Sequence, residues 1–354
     1  MSRKQGRSWL RNNKAQVVIA LAVAACAALL AACGGGNGDD GEDTSTASPG
    51  QGVAAQIVTT DLGVGPNRFS VGLVNEAEQE LVLDAGNVKL RFFKVLADNQ
   101  AQLRSEATAQ TVRFEKSYID ERTKETITTG EIAVYVAEVE FDEAGDWGVE
   151  ITADVDGQAI EPQRLAFEVL EADQVLSIGD SAPGSRQTIV PDVADVSEID
   201  SMQPPDPFHD ITVADAIAAG KPVVLLFGTP AFCETQTCAP AMNTVMLPLY
   251  EQYGDDATFI HVEPYALSLA REGKGFCPVP AFNREFAAQG IGEGTSECPP
   301  LPEEQLGAPE ESWNLTAEPI VFVIDAQGVI AGKFDGPTGP DEVEASLQAA
   351  LAAG

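Results

Sequence analysis

Three rhythms of apolar residues run along the chain. Val17 to Ala32 is an almost unbroken run of Ala, Val, Leu and Ile behind a basic, polar stretch. That order, charged then apolar, predicts a secretory leader, because the run is shorter than the roughly 20 residues a spanning helix needs. From 57 to 172 apolar and polar residues alternate, the period of half-buried strands. Phe69, Val71 and Leu73 fall on one face, as do Val88, Leu90 and Phe92, with Lys89 and Arg91 opposite. Tyr135, Ala137, Val139 and Phe141 alternate with Val136, Glu138 and Glu140; Trp147, Val149 and Ile151 alternate with Gly148, Glu150 and Thr152; Leu165, Phe167 and Val169 close the set. Turn residues separate them at Gly65-Pro66-Asn67, Asp84-Ala85-Gly86, Glu143-Ala144-Gly145-Asp146 and Asp156-Gly157.

The third rhythm begins after a stretch rich in Pro, Asp and Ser. Thr212 to Gly220 reads as a helix, with Thr212 and Asp215 as a capping pair. Pro222 to Phe227 is continuously apolar, the mark of a strand covered on both faces. A helix follows to about Gln252, then a second buried strand at Thr258–Val262. Ile320–Asp325 and Val329–Phe334 predict a hairpin around Ala326-Gln327-Gly328. Pro340 to Ala353 predicts a helix with Val343, Leu347 and Leu351 on one face.

These rhythms predict two domains. Residues 1–32 are the leader, 33–56 a flexible acidic tether, 57–172 an all-β sandwich of about seven strands resembling the immunoglobulin type, 173–210 a linker, and 211–354 an α/β domain with a lead-in segment from about 177. The sandwich carries no His or Cys and reads as a spacer or docking module.

The leader ends Leu30-Ala31-Ala32-Cys33, which resembles the bacterial lipobox; the resemblance implies cleavage before Cys33 and its lipidation. Val23-Ala24-Ala25-Cys26 fits the same pattern, but cleavage there would leave Ala27–Ala32 as an apolar N-terminus. Acylation at Cys33 supplies the two chains that stable anchoring requires and implies an extracytoplasmic, lipid-anchored location at the cell membrane. Acids outnumber bases 55 to 21. Arg3, Lys4, Arg7, Arg11 and Lys14 lie in the leader, which has no acids, leaving 55 acids against 16 bases, a net −39. Such a surface argues against a nucleic-acid partner, because binding one requires phosphate neutralisation.

Removing Cys26 and committing Cys33 to lipid leaves Cys233, Cys238, Cys277 and Cys298 in a disulfide-permissive compartment. Cys277 and Cys298 flank a long Gly/Pro-rich excursion and read as a structural disulfide that pins it. Cys233 and Cys238 follow the first buried strand in Gly228-Thr229-Pro230-Ala231-Phe232-Cys233-Glu234-Thr235-Gln236-Thr237-Cys238-Ala239-Pro240. Strand, dithiol, helix, strand, excursion, hairpin, helix resembles the thioredoxin fold. Ile178-Gly179-Asp180-Ser181-Ala182-Pro183 is similar to the lead-in of membrane-anchored members, and Ala317-Glu318-Pro319 matches the place of the family's cis-proline. The resemblance implies thiol–disulfide exchange with protein thiols or disulfides, carried by Cys233, Cys238 and Pro319, with no cofactor and no bound metal.

The chain departs from the family in placing four residues between the cysteines rather than two. That offset requires Cys233 to sit in a loop if it is to reach Cys238, and it leaves open which thiol attacks. Leu226 stands near the place of the family's buried acid, and Glu234 and Glu318 are expected beside the thiols, where negative charge raises a thiol's pKa. Thr229-Pro230 before the pair is also similar to the bacterioferritin-comigratory peroxiredoxins, although their threonine lies where Pro230 stands. Copper delivery of the Sco type needs two thiolates and a late histidine, for which His209 and His261 are the candidates. The non-enzymatic alternative is a tethered binding or scaffold module with structural disulfides.

Overall fold

A computed structural model of the chain describes residues 52–78, 80–96, 100–171, 176–294 and 296–354. Residues 1–51, which include the expected leader, Cys33 and most of the expected tether, lie outside them. The described residues belong to one compact unit, and none of their helices is long and apolar enough to cross a membrane.

The first part is built of antiparallel strands. β1 (Val53–Ile57), β2 (Gly65–Asn75), β3 (Glu80–Leu81), β6 (Gln110–Asp120) and β7 (Glu125–Phe141) form one sheet in the order β1-β2-β7-β6, with β3 paired to β2. β4 (Ala85–Val95), β5 (Ala101–Thr108), β8 (Gly145–Val155), β9 (Gln158–Ala159) and β10 (Gln163–Val169) form the other, ordered β10-β8-β4-β5 with β9 on β8. The two sheets share one core. Phe69, Val71 and Leu73 of the first meet Leu90, Phe92 and Val149 of the second. Phe69 and Phe92 pack edge to face with ring centroids 5.0 Å apart, and Phe141 and Trp147 do so at 4.9 Å. The alternation was a sound guide to inward positions because each of these strands has one covered face. Strand β1 begins inside the stretch expected to be tether, and β5 and β6 were not foreseen. Most of their residues are polar and exposed along the first half of each strand.

The second part has a four-stranded sheet ordered β12-β11-β13-β14. β11 (Val223–Phe227) is central and buried at every residue; it runs parallel to β12 (Thr258–Val262) and antiparallel to β13 (Ile320–Ile324), which pairs with β14 (Ile330–Asp335). Helix α1 (Val213–Ala218) precedes β11, capped by Thr212, whose hydroxyl accepts the Asp215 N–H. After β11 come α2 (Cys238–Pro240), a wider π-type turn at Ala241–Met246, and α3 (Leu247–Tyr253), which run on as one rod. The excursion holds α4 (Leu267–Arg271) and α5 (Pro280–Gln289), and α6 (Pro340–Ala353) ends the chain. Met242, Val245, Leu249, Val343 and Leu347 cover one face of the sheet; Val213, Phe282, Trp313 and Leu315 cover the other. This is the element order that the thioredoxin resemblance implies.

Of residues 173–210, expected to link two domains, the described ones, 176–210, are built into the second part instead. Ser185, Asp200, Ser201, Met202, Asp206, Phe208 and His209 are all buried. Met202 and Phe208 join the apolar cluster over β12, and His261 donates its backbone N–H to the Phe208 carbonyl at 3.1 Å. The many Pro and Asp residues here specify turns rather than a solvated spacer.

The sandwich packs against this second part along the free edge of β6. Ser117 and Ile119 send their N–H groups outward to the carbonyls of Gln236 (3.0 Å) and Pro230 (3.2 Å), and the Ile119 side chain, 1% exposed, enters the core around Met242. Covering an open strand edge in this way removes a template for unwanted pairing. Farther away, Arg68 of β2 reaches Glu342 at 2.6 and 3.0 Å and the Pro337 carbonyl at 2.7 Å, while Lys333 meets Asp61 at 3.0 Å.

Candidate functional site

The dithiol sits where β11 hands over to α2. Its loop turns at Thr229–Phe232, with the Cys233 N–H bonded to the Thr229 carbonyl at 2.9 Å, and reverses at Gln236, which adopts the left-handed conformation (φ 58°). Cys233 is thereby placed in the loop and Cys238 at the first residue of the helix, and the two are joined in a disulfide. A sulfur at a helix start faces unpaired N–H groups that favour thiolate. Cys238 is fully buried and Cys233 is 5% exposed, so Cys233 presents the more accessible sulfur. The Thr235 hydroxyl lies 3.2 Å from Cys233 Sγ and 2.7 Å from the Thr237 hydroxyl. Gly228 passes so close that a Cβ there would stand 3.3 Å from Cys238 Cβ, which leaves no slack for a larger residue.

Glu318 and Pro319 close the site from the turn just before β13. The peptide bond between them is cis, and a carboxylate oxygen of Glu318 lies within 4.8 Å of both sulfurs. Burial holds the Glu318 carboxyl well above the ordinary carboxylate range, its Oε2 makes no hydrogen bond, and Thr229 adjoins it. Desolvation thus disfavours the charge that the sequence places beside the thiols from Glu318. Glu234 is exposed. The sequence placed Glu318 near the thiols but gave no sign that its carboxyl would be enclosed.

Tyr265, Phe276 and Phe232 form an aromatic wall next to the loop, with ring centroids 5.8 and 6.0 Å apart in succession. Burial, followed by the carboxylates of Glu318, Glu293 and Glu234, pushes the Tyr265 phenol up. Cys277 and Cys298, in the excursion, form a second disulfide with a sequence separation of 21. Cys33 lies outside the described residues.

A second polar cluster lies behind the dithiol, and the sequence reading did not assemble it. The His209 and His261 rings lie with centroids 4.9 Å apart, tilted 53° to each other. His261 Nε2 faces the Gly228 carbonyl at 2.8 Å and Nδ1 faces Asp206 Oδ2 at 2.8 Å, so both ring nitrogens meet oxygen rather than sulfur. Burial alone would lower the pKa of His261, but Asp206 outweighs it and raises it to about 10. Asp206 is driven down in return, against its own desolvation, by the two imidazoles. Glu263, two residues after His261, accepts the Ser201 N–H at 2.7 Å and is pushed up to about 7 by burial. Ser201 in turn accepts the Ala231 N–H at 3.1 Å, which ties this cluster to the dithiol loop. The only advance signal was that the chain's two histidines each lie near acids, one of them in a stretch read as linker.

No protein-family model matches the sequence, and no curated protein matches it. Among solved structures, the chain is similar to a thiol:disulfide interchange protein described as a thioredoxin family protein, from Chlorobium tepidum TLS. That similarity is 18% identity over 50% of this chain and 99% of the other, with a TM-score of 0.26.

Proposed function

We propose that this chain is a thioredoxin-like thiol–disulfide oxidoreductase, tethered through a lipidated Cys33 at the extracytoplasmic face of the membrane, with an immunoglobulin-like sandwich as its companion module. The observation that carries the reading is the Cys233–Cys238 disulfide between a loop and a helix start, with the Glu318 carboxyl beside it. In the reductive direction, the Cys233 thiolate attacks a substrate disulfide, forming a mixed disulfide and releasing one substrate thiolate. Cys238 then attacks Cys233 Sγ, releasing the second substrate thiolate and forming the internal disulfide. The Thr235 hydroxyl is placed to donate to the Cys233 thiolate. Glu318, once deprotonated, is placed to take the proton of the buried Cys238 thiol as it becomes the nucleophile. The reverse sequence oxidises a substrate dithiol.

The test is the reduction potential of the pair, measured on the full chain in graded glutathione buffers with Cys277 and Cys298 tracked separately by mass spectrometry. A value between about −120 and −270 mV places the pair among working oxidoreductases. A Cys233–Cys238 bond that stays closed throughout would mark it as structural and favour the scaffold alternative.

A further inference from the structure

The cluster behind the dithiol has the composition and the surroundings of a metal centre. The chain contains two histidines, and both are here. Asp206 Oδ2 lies 2.8 Å from His261 Nδ1 and 3.3 Å from His209 Nε2, and His209 Nε2 lies 3.6 Å from Asp200 Oδ2. One atom from each of the four residues falls within 4.8 Å of the other three. A tetrahedral zinc site with bonds of about 2.0–2.2 Å has ligand-to-ligand edges of about 3.4 Å, so these separations need little adjustment. We propose that Asp200, Asp206, His209 and His261 bind a divalent transition metal of zinc's class.

The groups around these four residues are arranged as an outer shell would be. A metal-binding imidazole usually donates its other N–H to a carbonyl or carboxylate, which fixes the tautomer. His261 does this through Nε2 to the Gly228 carbonyl, leaving Nδ1 turned inward. Each aspartate is oriented in the same manner: Asp200 Oδ1 accepts the Met202 N–H at 2.7 Å and Asp206 Oδ1 accepts the Phe208 N–H at 3.0 Å, so both Oδ2 atoms face the histidines. Asp200 Oδ2 also accepts the Asp206 N–H at 2.9 Å.

Charge balance favours a dication. Two buried carboxylates with two neutral imidazoles require two positive charges, and a single zinc-class ion supplies them. His209 and His261 also line a cavity of about 350 Å³, which offers a way in. Glu263 lines the same cavity, is 6% exposed, and has a carboxylate oxygen without a partner. With four protein ligands the site is closed and its role is structural. It pins residues 200–209 to β12, directly behind the carbonyl of Gly228 that leads into the dithiol loop.

The test uses the full chain in detergent with Cys233–Cys238 kept oxidised, stripped with EDTA and then titrated with Zn²⁺ or Co²⁺. The expected result is about one zinc retained per chain. Co²⁺ should give the visible absorption of a tetrahedral N/O site without thiolate charge transfer. Asp200→Asn and His209→Gln should each weaken zinc binding by at least ~10–100-fold while far-UV circular dichroism and the disulfide are kept. Glu318→Gln should leave zinc binding unchanged, which separates this site from the sulfurs. Failure of the oxidised wild type to retain zinc, or unchanged affinity in both ligand variants, would overturn the assignment and leave a hydrogen-bonded ion cluster. None of these readings depends on whether the dithiol is catalytic.

Discussion

The backbone N–H of Ser117, on a strand of the sandwich, donates to the carbonyl of Gln236, which lies between the two cysteines in sequence, at 3.0 Å. Two residues on, Ile119 repeats the contact with Pro230 and buries its side chain in the core of the neighbouring module. The loop that holds the disulfide is therefore bonded to the sandwich through its own backbone. Ile119→Ala removes this anchor. It should cost about 2–5 kcal/mol in denaturant unfolding and, after reduction, speed alkylation of Cys233. Unchanged stability together with an unchanged alkylation rate would show that the docking contributes nothing.

Arg68 makes the second attachment. Its side chain is 4% exposed, and its partner Glu342 is 21% exposed. Because Glu342 keeps some contact with water, Arg68→Ala should cost about 2–3 kcal/mol, below the full penalty for breaking a buried pair. A urea titration checks this, and a second, earlier unfolding step would report that the modules had come apart.

Desolvation of its enclosed carboxyl holds Glu318 well above the usual carboxylate range. A folded-state pKa raised above the unfolded one gives stability that is fully present below the unfolded value and is lost as pH rises through the folded one. The wild type should therefore lose stability on going from pH 5 upward. Glu318→Gln, which cannot ionise, should flatten that decline and exceed the wild type at the alkaline end. Parallel melting-temperature curves for the two proteins would show that Glu318 ionises without cost.

The two cysteines should behave differently when separated. Cys238→Ser leaves the accessible sulfur without a resolving partner and should accumulate mixed disulfides with a small disulfide such as oxidised glutathione. Cys233→Ser should form them far more slowly, because Cys238 is fully buried. Mass spectrometry of the quenched mixtures measures both. Faster modification of Cys238 would reverse the assignment of the nucleophile.

The excursion disulfide should be worth about 3 kcal/mol by the loop-closure relation for its sequence separation of 21. Replacing Cys277 and Cys298 with Ser should lower the unfolding free energy by that order. The Cys233–Cys238 potential should stay where it was, read in the same glutathione series.

Much of this was legible where a residue's fate depends on its near neighbours. Val223–Phe227 and Thr258–Val262 announced buried strands because both faces of each are covered, and the end of β11 fixed where the dithiol would stand. Strand β6 stayed hidden because its apolar residues serve a different surface. Ile119 points into the other module, so β6 lacks a full inward set of its own. The stretch 173–210 misled for a related reason: Pro and Asp specify turns equally well in a packed loop and in a free linker. His209 and His261 are 52 positions apart; the pairing of β11 with β12 brings the Gly228 carbonyl to one side of the His261 ring, and the bond from the His261 backbone N–H to the Phe208 carbonyl brings Asp206 to the other.

The bonds from Ser117 and Ile119 also have a thermodynamic consequence. Linkage is reciprocal: if the loop docks more tightly in its disulfide form than in its dithiol form, the sandwich must stabilise the disulfide by the same free energy. For a two-electron pair each 1.4 kcal/mol of that difference appears as about 30 mV. Any such difference would make the edge of β6 a bias on the potential of Cys233 and Cys238, so that pulling the sandwich away would change how readily the pair gives up electrons without touching either sulfur.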